Sequence, residues 1–391
     1  MIDFTNTEIA FKIKSNVELR KARFLFKTIN NPKLVGWLTA IAAFAVKNRF
    51  PIGWLVRPTL YAQFVGGESL AKSANKAKKL WKYNVGSILD YSIEGKKDDA
   101  SAKACFKEVM HSIEFGGKHP YVAFAVFKPT GIVQPDVLEK VSSGLVLDKG
   151  EEELFHLFVN RVDALCAKAA EAGISILIDA EDYCYQQAID EVVDQMMERY
   201  NTEKAVVYNT LQMYRTDRLD YLKKLHKHAV EKNFIVGAKL VRGAYMERER
   251  ERAARLGYPS PINPTKEITD AMFDDALIYS LENIDKISIF AGTHNQDSVW
   301  LLVELVYKYS LQENDSRIWF SQLYGMSDNL SFNLAAEGFN VAKYLPYGPV
   351  KEVLPYLIRR ARENTSVTGQ TSRELDLLNQ EIKRRKSYKQ W

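Results

Sequence analysis

Cysteine is scarce in this chain: Cys105, Cys166 and Cys184 are the only three in 391 residues, an odd number at wide spacing. That argues against a disulfide framework and suits reduced thiols in a cytosolic compartment. Histidine is also sparse, six in all, with no HxxxH or HExxH spacing, so no metal site is expected. His226 and His228, two apart on a helix, point away from each other. There is no GxGxxG turn, phosphate loop or RNA-binding aromatic signature, and a net charge of +5 is small against 54 basic and 49 acidic side chains, which gives no case for nucleic acid. The longest apolar run, Leu34 to Val46, falls short of the roughly 20 residues that span a bilayer. Met1 to Thr5 lack the basic-then-apolar pattern of a signal peptide, so no export is expected. No candidate nucleophile is paired with a base, which speaks against acyl transfer.

What is present is ordinary globular material, 46% hydrophobic and 26% charged, enough for two average domains or for one large barrel with a helical addition. Residues 1–83 read as a helical arm. Ile13 to Ile29 carries a 3.6-residue apolar period, Asn30-Asn31-Pro32 breaks it, and Leu34 to Val46 has the pattern of a buried helix, with Trp37, Phe44 and Trp54 as packing anchors. From there β-rich runs recur at 85–90, 122–127, 174–178, 205–208, 234–241, 287–290, 318–320 and 341–344. Amphipathic stretches such as Glu151 to Ala172 and Tyr183 to Tyr200 separate them. Eight strands alternating with helices predict an α/β fold, a (β/α)8 barrel over 84–370, with an open doubly wound sheet as the alternative. Residues 371–391 read as a basic C-terminal tail.

In a barrel the chemistry belongs at the C-terminal ends of the strands. Those ends deliver Asp90 to Glu94, Lys128-Pro129-Thr130-Gly131, Asp179-Ala180-Glu181-Asp182, Gln212, Lys239 with Arg242, Thr293-His294-Asn295, Gln322 to Met326, and Tyr344 to Gly348. Lys239 and Arg242 lie beside Gly243, where backbone can approach closely, which suits a flat or anionic ligand; a strand running into a solvated helix is the plainer alternative. Asp179 reads either as a helix N-cap or as a partner for Lys128 or a ring nitrogen. Tyr356, Arg359, Arg360 and Glu363 share one helical face, able to grip a carboxylate in a guanidinium fork or simply to form surface Arg–Glu pairs. The run Glu247 to Arg252 reads as a solvated face without a role. Several cations with few acids and aromatic walls suit a flat redox cofactor whose reduced form is anionic. A metal-dependent barrel aldolase or isomerase and a non-catalytic module docking acidic partners are the rivals.

Five motifs in order, KLVRGAYMERER, AGTHN, QLYGM, KYLPYG and YLIRRARENTS, resemble the proline dehydrogenase family, in its single-function, FAD-dependent form with a distorted (β/α)8 barrel and an N-terminal helical arm. The resemblance runs from about Ser87 to Ser366. It implies oxidation of L-proline to 1-pyrroline-5-carboxylate by hydride transfer from C5 to flavin N5. It also implies that Arg359, Arg360 and Lys128 bind the substrate carboxylate, that Tyr344, Tyr356 and Leu323 pack on the pyrrolidine ring, that Asp179 lies beside Lys128, and that Glu94 pairs with Arg359 as a gate. For FAD it implies Ala180, Gln212, Arg242, Gly243, Ala244, Thr293, His294 and Asn295, with Lys239 next to N5 and the pyrimidine edge. Many bacterial relatives have Arg first and Lys fourth in this motif, whereas here the order is Lys239 then Arg242, which exchanges a bidentate fork for a point charge. Relatives that prefer hydroxyproline, the alternative substrate, have a small residue where this chain has Tyr344. The resemblance further implies a membrane quinone as electron acceptor, a cytoplasmic enzyme peripheral on the inner membrane, and a separate pyrroline-5-carboxylate dehydrogenase as partner. Lys383 to Trp391, cations with an interfacial aromatic, would suit the membrane contact, with a solvated tail as the plainer alternative.

Overall fold

The computed structural model describes residues 2–31, 36, 53–91, 98–366 and 370–387, with backbone alone at 54, 55, 361–366, 370 and 371. Eight parallel strands close into one barrel in sequence order. They are β1 (Val85–Tyr91), β2 (Val122–Phe127), β3 (Ser175–Ile178), β4 (Val207–Gln212), β5 (Val236–Val241), β6 (Ile287–Gly292), β7 (Ile318–Leu323) and β8 (Val341–Tyr347). Closure excludes the open doubly wound sheet. A strand in such a barrel is covered on both faces, which is why β2 and β3 are nearly all apolar and why β4 and β8 are buried at every residue although they carry Asn209, Thr210, Gln212 and Lys343. By packing, the chain forms two compact units, Ile93–Ser321 and Met1–Ser92 with Gln322–Trp391.

Within Ile93–Ser321, Phe124 is the hub of an edge-to-face aromatic cluster, its ring centroid 5.5 Å from Tyr208, 5.0 Å from Phe290 and 5.1 Å from Trp319. These rings meet in the edge-to-face geometry that the aromatic quadrupole favours. The return helices are stopped by local chemistry. The Lys149–Ala172 helix opens on an Asp148–Glu151 capping box and ends at Gly173 in the left-handed region, φ 69°. The charged run after β5 is solvated at Glu247, Arg248, Arg250 and Glu251, as expected, but not throughout. On the Met246–Leu256 helix Glu249 is buried and accepts from the Tyr183 amide at 2.7 Å, Arg248 pairs with Asp182, and Arg252 pairs with Glu139. The alternation of acids and bases hid the fact that their partners lie on other helices.

In the second unit β1 and β8 pair in register from Val85 with Val341 to Tyr91 with Tyr347. The Asn16–Ile29 helix starts at a Ser15–Glu18 capping box and buries Leu19, Ala22, Phe26 and Ile29 in a cluster with Val353, Leu357, Leu377 and Leu378. The basic C-terminal stretch corrects the tail expectation: Gln370–Ser387 is a helix with Leu377, Leu378, Glu374 and Glu381 buried. Glu381 accepts from the Thr7 hydroxyl at 3.0 Å, from Arg384 at 2.8 Å and from Arg385 at 2.6 Å, while Arg385 also donates to the Phe11 carbonyl at 2.9 Å. Net basic charge misled the expectation because two of those cations are internal partners. Leu34 to Val46 apart from Gly36, and so Trp37 and Phe44, the Trp54 side chain and residues 388–391 lie outside what is described.

A buried ion triad also holds this unit. Asp328 sits between Lys14 and Lys343, 2.9 Å from each. Burial opposes its ionisation, but the two ammonium groups outweigh it and carry its carboxyl down to about 2. A depressed carboxyl stabilises above its ordinary range near 4 and loses that contribution as pH falls through 2. Asp328→Asn, which leaves two buried cations facing an amide, is expected to cost about 3 kcal/mol in urea unfolding at pH 7. The same variant should lose less additional stability than the parent between pH 4 and pH 2.5.

Candidate active site

β2 and β3 are paired neighbours, and each hands over a charged residue as it leaves the sheet. Lys128 follows Phe127 at the end of β2, and Asp179 follows Ile178 at the end of β3. The Asp179 amide donates to the Phe127 carbonyl at 3.0 Å, so the ladder extends one step beyond the strands and presents both side chains. Lys128 Nζ lies 3.0 Å from one Asp179 oxygen and Lys239 Nζ 2.6 Å from the other. Lys239 comes from within β5, and its side chain is only 7% exposed. Asp179 is therefore an acceptor for two lysines from two strands and not the cap of the next helix, whose N-cap residue is Asp182.

Just beyond this pair lies a second contact between the same two strand exits. The Glu181 carboxylate accepts from the Thr130 amide at 2.8 Å and meets the Thr130 hydroxyl through its other oxygen. Burial pushes the Glu181 carboxyl up to about 7, against the opposing pull of the Thr130 hydrogen bonds and of Lys128. Gln212, at the end of β4, donates from Nε2 to the Glu181 carbonyl at 2.8 Å. Ala180, between the two acids, is half-buried.

Arg242 is anchored by its neighbours. Its Nε donates to Asp270 at 2.5 Å, one terminal nitrogen to Thr293 Oγ1 at 2.7 Å and the other to Ser298 Oγ at 2.9 Å, with the guanidinium 4.5 Å above the Phe273 ring. The Asp270 carboxyl is held below its usual range by Lys266 and Arg242 despite burial. Thr293 in turn accepts from the Asn295 amide at 3.1 Å, and Asn295 caps the Gln296–Lys308 helix. His294 lies half-buried between them. Gly243 has φ 120°, and a Cβ there would fall 2.7 Å from the Tyr214 ring, so glycine is required by close packing of an aromatic as well as by backbone conformation. Ala244 follows it, exposed.

The remaining expected residues belong to the other unit. Tyr344 is buried in β8, and its carbonyl accepts from the Tyr324 amide at 2.9 Å. Tyr356, Arg359 and Arg360 lie on the Val350–Ser366 helix, with Tyr356 buried and Arg360 5.3 Å over its ring. Leu323, at the end of β7, packs against the cluster that contains Tyr356 and Leu357. Glu94 lies outside the described residues.

Sequence reasoning placed Thr130 and Glu181 at strand ends without a role for either, and missed Asp270 and Ser298. For Glu181 a signal existed, because it stands two residues after Asp179 as Thr130 stands two after Lys128. Asp270 and Ser298 carried none, since their tie to Arg242 runs through helices that follow other strands. Among the described residues no group of three or more His, Cys, Asp or Glu could hold a metal, and no helix is long and apolar enough to cross a membrane.

Comparison with known proteins adds the family. Residues 73–373 match the family model described as proline dehydrogenase. The chain is 34% identical over 381 residues to "Proline dehydrogenase 1, mitochondrial" of Dictyostelium discoideum, covering 86% of this chain and 66% of that one. It is 43% identical over 239 residues to the human protein of that name, covering 60% of this chain and 40% of that one. It is 33% identical over 322 residues to "Carbapenem antibiotics biosynthesis protein CarD" of Pectobacterium carotovorum, covering 82% and 83%. The chain thus spans from about two fifths to four fifths of the length of these relatives. In structure it is similar to proline utilization A from Bdellovibrio bacteriovorus, with TM-score 0.71 and 21% identity over 94% of this chain and 37% of that one, a likeness of fold. On the family match over residues 73–373, the chain belongs to the proline dehydrogenase family.

Proposed function

We propose that the chain oxidises L-proline to 1-pyrroline-5-carboxylate with FAD as cofactor, and that a membrane quinone reoxidises the flavin. The observation that supports this is the meeting of Lys128 and Lys239 on Asp179 at the strand C-terminal ends, an arrangement of two cations suited to an anionic substrate and an anionic reduced ring. The donor set fits FAD. Lys239 is a buried point charge, Gln212 an amide at a strand end, and Arg242 has two N–H groups beyond the three that bind Asp270, Thr293 and Ser298. Lys239, Gln212, Ala180, Arg242, Gly243, Ala244, Thr293, His294 and Asn295 are the residues proposed to hold it. FAD, when bound, supplies the hydride acceptor for proline C5.

The chain's own residues are proposed to bind and orient. Lys128 and the guanidinium groups of Arg359 and Arg360 hold the substrate carboxylate, Arg in the forked geometry that carboxylates favour. Tyr356 keeps Arg360 in place through the ring-over-cation contact. Tyr344, Tyr356 and Leu323 give the pyrrolidine ring apolar walls. Asp179 holds the two lysines at set positions so that neither swings away as substrate enters. The buried bulk of Tyr344 leaves little room for a ring hydroxyl, which favours proline over hydroxyproline. A peripheral membrane contact would fall to exposed Lys383 and Lys386, since Arg384 and Arg385 are bound to Glu381. A separate pyrroline-5-carboxylate dehydrogenase is the partner that would take the product.

Purified protein is expected to be yellow, or to become so with added FAD, and L-proline should bleach its visible absorbance anaerobically. Protein that stays colourless after FAD addition would overturn the cofactor assignment. Arg359→Ala should raise the KM for L-proline at least tenfold, the loss of a charged hydrogen-bonded pair being worth about 1.5–3 kcal/mol, with flavin content unchanged. Flavin loss in that variant would instead mark Arg359 as a cofactor residue.

A further inference from the structure

Glu181 falls outside the roles above, and its surroundings explain why it is there. Its carboxylate spans from the β3 exit to the β2 exit by accepting the Thr130 amide at 2.8 Å and meeting the Thr130 hydroxyl. Thr130 stands two residues past Lys128 and Glu181 two past Asp179, so this bridge runs beside the Lys128–Asp179 ion pair and ties the same two chain segments a second time. Glu181 is itself held at both backbone ends. Its amide donates to Gln186 Oε1 at 3.2 Å, with Gln186 anchored in turn on Asp190 at 2.8 Å, and its carbonyl accepts from Gln212 at 2.8 Å. The side chain is buried, at 8% exposure, in a structure where such a carboxyl needs a reason.

We propose that Glu181 is a positioning residue that sets Lys128 for a carboxylate ligand, and that its protonation state tunes how strongly that ligand is held. This rests on the carboxylate-binding role given to Lys128 above. The bridge survives either state: an ionised carboxylate accepts from both the Thr130 amide and hydroxyl, and a neutral acid accepts from the amide while donating to the hydroxyl oxygen. Only the charge changes. The charged groups around it are Lys128 on the β2 exit, Asp179 and Asp182 on its own segment, Lys239 from β5 behind Asp179, and Arg248 paired with Asp182. With the carboxyl raised to about 7 by burial, Glu181 is mostly neutral at pH 6 and mostly ionised at pH 8.5. One negative charge is therefore added beside Lys128 across that range, and an incoming anion is held less tightly as pH rises.

The test uses the full chain supplied with FAD and the probe tetrahydrofuran-2-carboxylate, a proline-shaped anion whose ring oxygen takes no proton, so that the probe itself does not titrate between pH 6 and 8.5. Its Kd is measured by calorimetry at several pH values. For the parent, Kd is expected to rise about fivefold from pH 6 to 8.5, the scale of one unit charge at several ångströms in a partly solvated site. Glu181→Gln, which can keep both contacts with Thr130, should match the parent at pH 6 within twofold and stay flat with pH. Glu181→Ala, without the bridge, should bind about tenfold more weakly at every pH. Parent-like binding by Glu181→Ala would overturn the positioning role, and a parent-like pH curve for Glu181→Gln would overturn the tuning. Absence of probe binding by the parent at every pH would overturn the carboxylate role of Lys128 on which both depend.

Discussion

Two ammonium groups on one carboxylate, in surroundings that are largely dry, form a stable arrangement only if all three groups are prevented from rearranging. The barrel does this with backbone. Lys239 projects from the middle of β5, locked between β4 and β6 by the ladder, while Asp179 is fixed by its amide bond to the Phe127 carbonyl and Lys128 leaves the sheet next to that same carbonyl. Each strand therefore contributes one charge at a height set by register. The Thr130–Glu181 bridge braces the β2 and β3 exits against each other, and the Gln212 contact ties the β4 exit to the β3 exit. Polar side chains are left to gather where the strands end.

A similar economy of charge governs the rest of the molecule. Arg242, at the end of β5, is held by an acid and two hydroxyls and lies over an aromatic ring, so a residue with a proposed cofactor role also joins the segments after β5 and β6. In the unit that contains both chain ends, Asp328 between Lys14 and Lys343, and Glu381 among Thr7, Arg384 and Arg385, tie N-terminal to C-terminal segments. Buried charges of this kind are weak sources of net stability but strict about partners, because an unmatched member is expensive.

The eight strands were legible because a doubly covered strand is rich in apolar and β-branched residues, and the polar cluster that follows each run marks its end. The helix that carries Tyr356, Arg359 and Arg360 was legible through its spacing. The C-terminal helix was not. Its apolar residues, Leu375, Leu377, Leu378 and Ile382, are few, and the eye is drawn to the cations that follow, whose acid partner Glu381 is only visible once the helix is built. Glu249 within a run of alternating charges was obscured in the same way, since its acceptor role faces the Tyr183 amide 66 residues away.

By itself the sequence determined the alternation of strands and helices, the set of charged residues that leave the strand ends, and the family. Each follows from local periodicity or from short motifs, which need no knowledge of distant neighbours. Only the tertiary structure decided that Asp179 takes two lysines instead of capping a helix, that Glu181 joins Thr130, and that Arg242 is held by Asp270, Thr293 and Ser298. The reason is range: a side-chain hydrogen bond is satisfied within about 3 Å in space, and the partner that satisfies it can stand 28, 51 or 60 residues away in the chain.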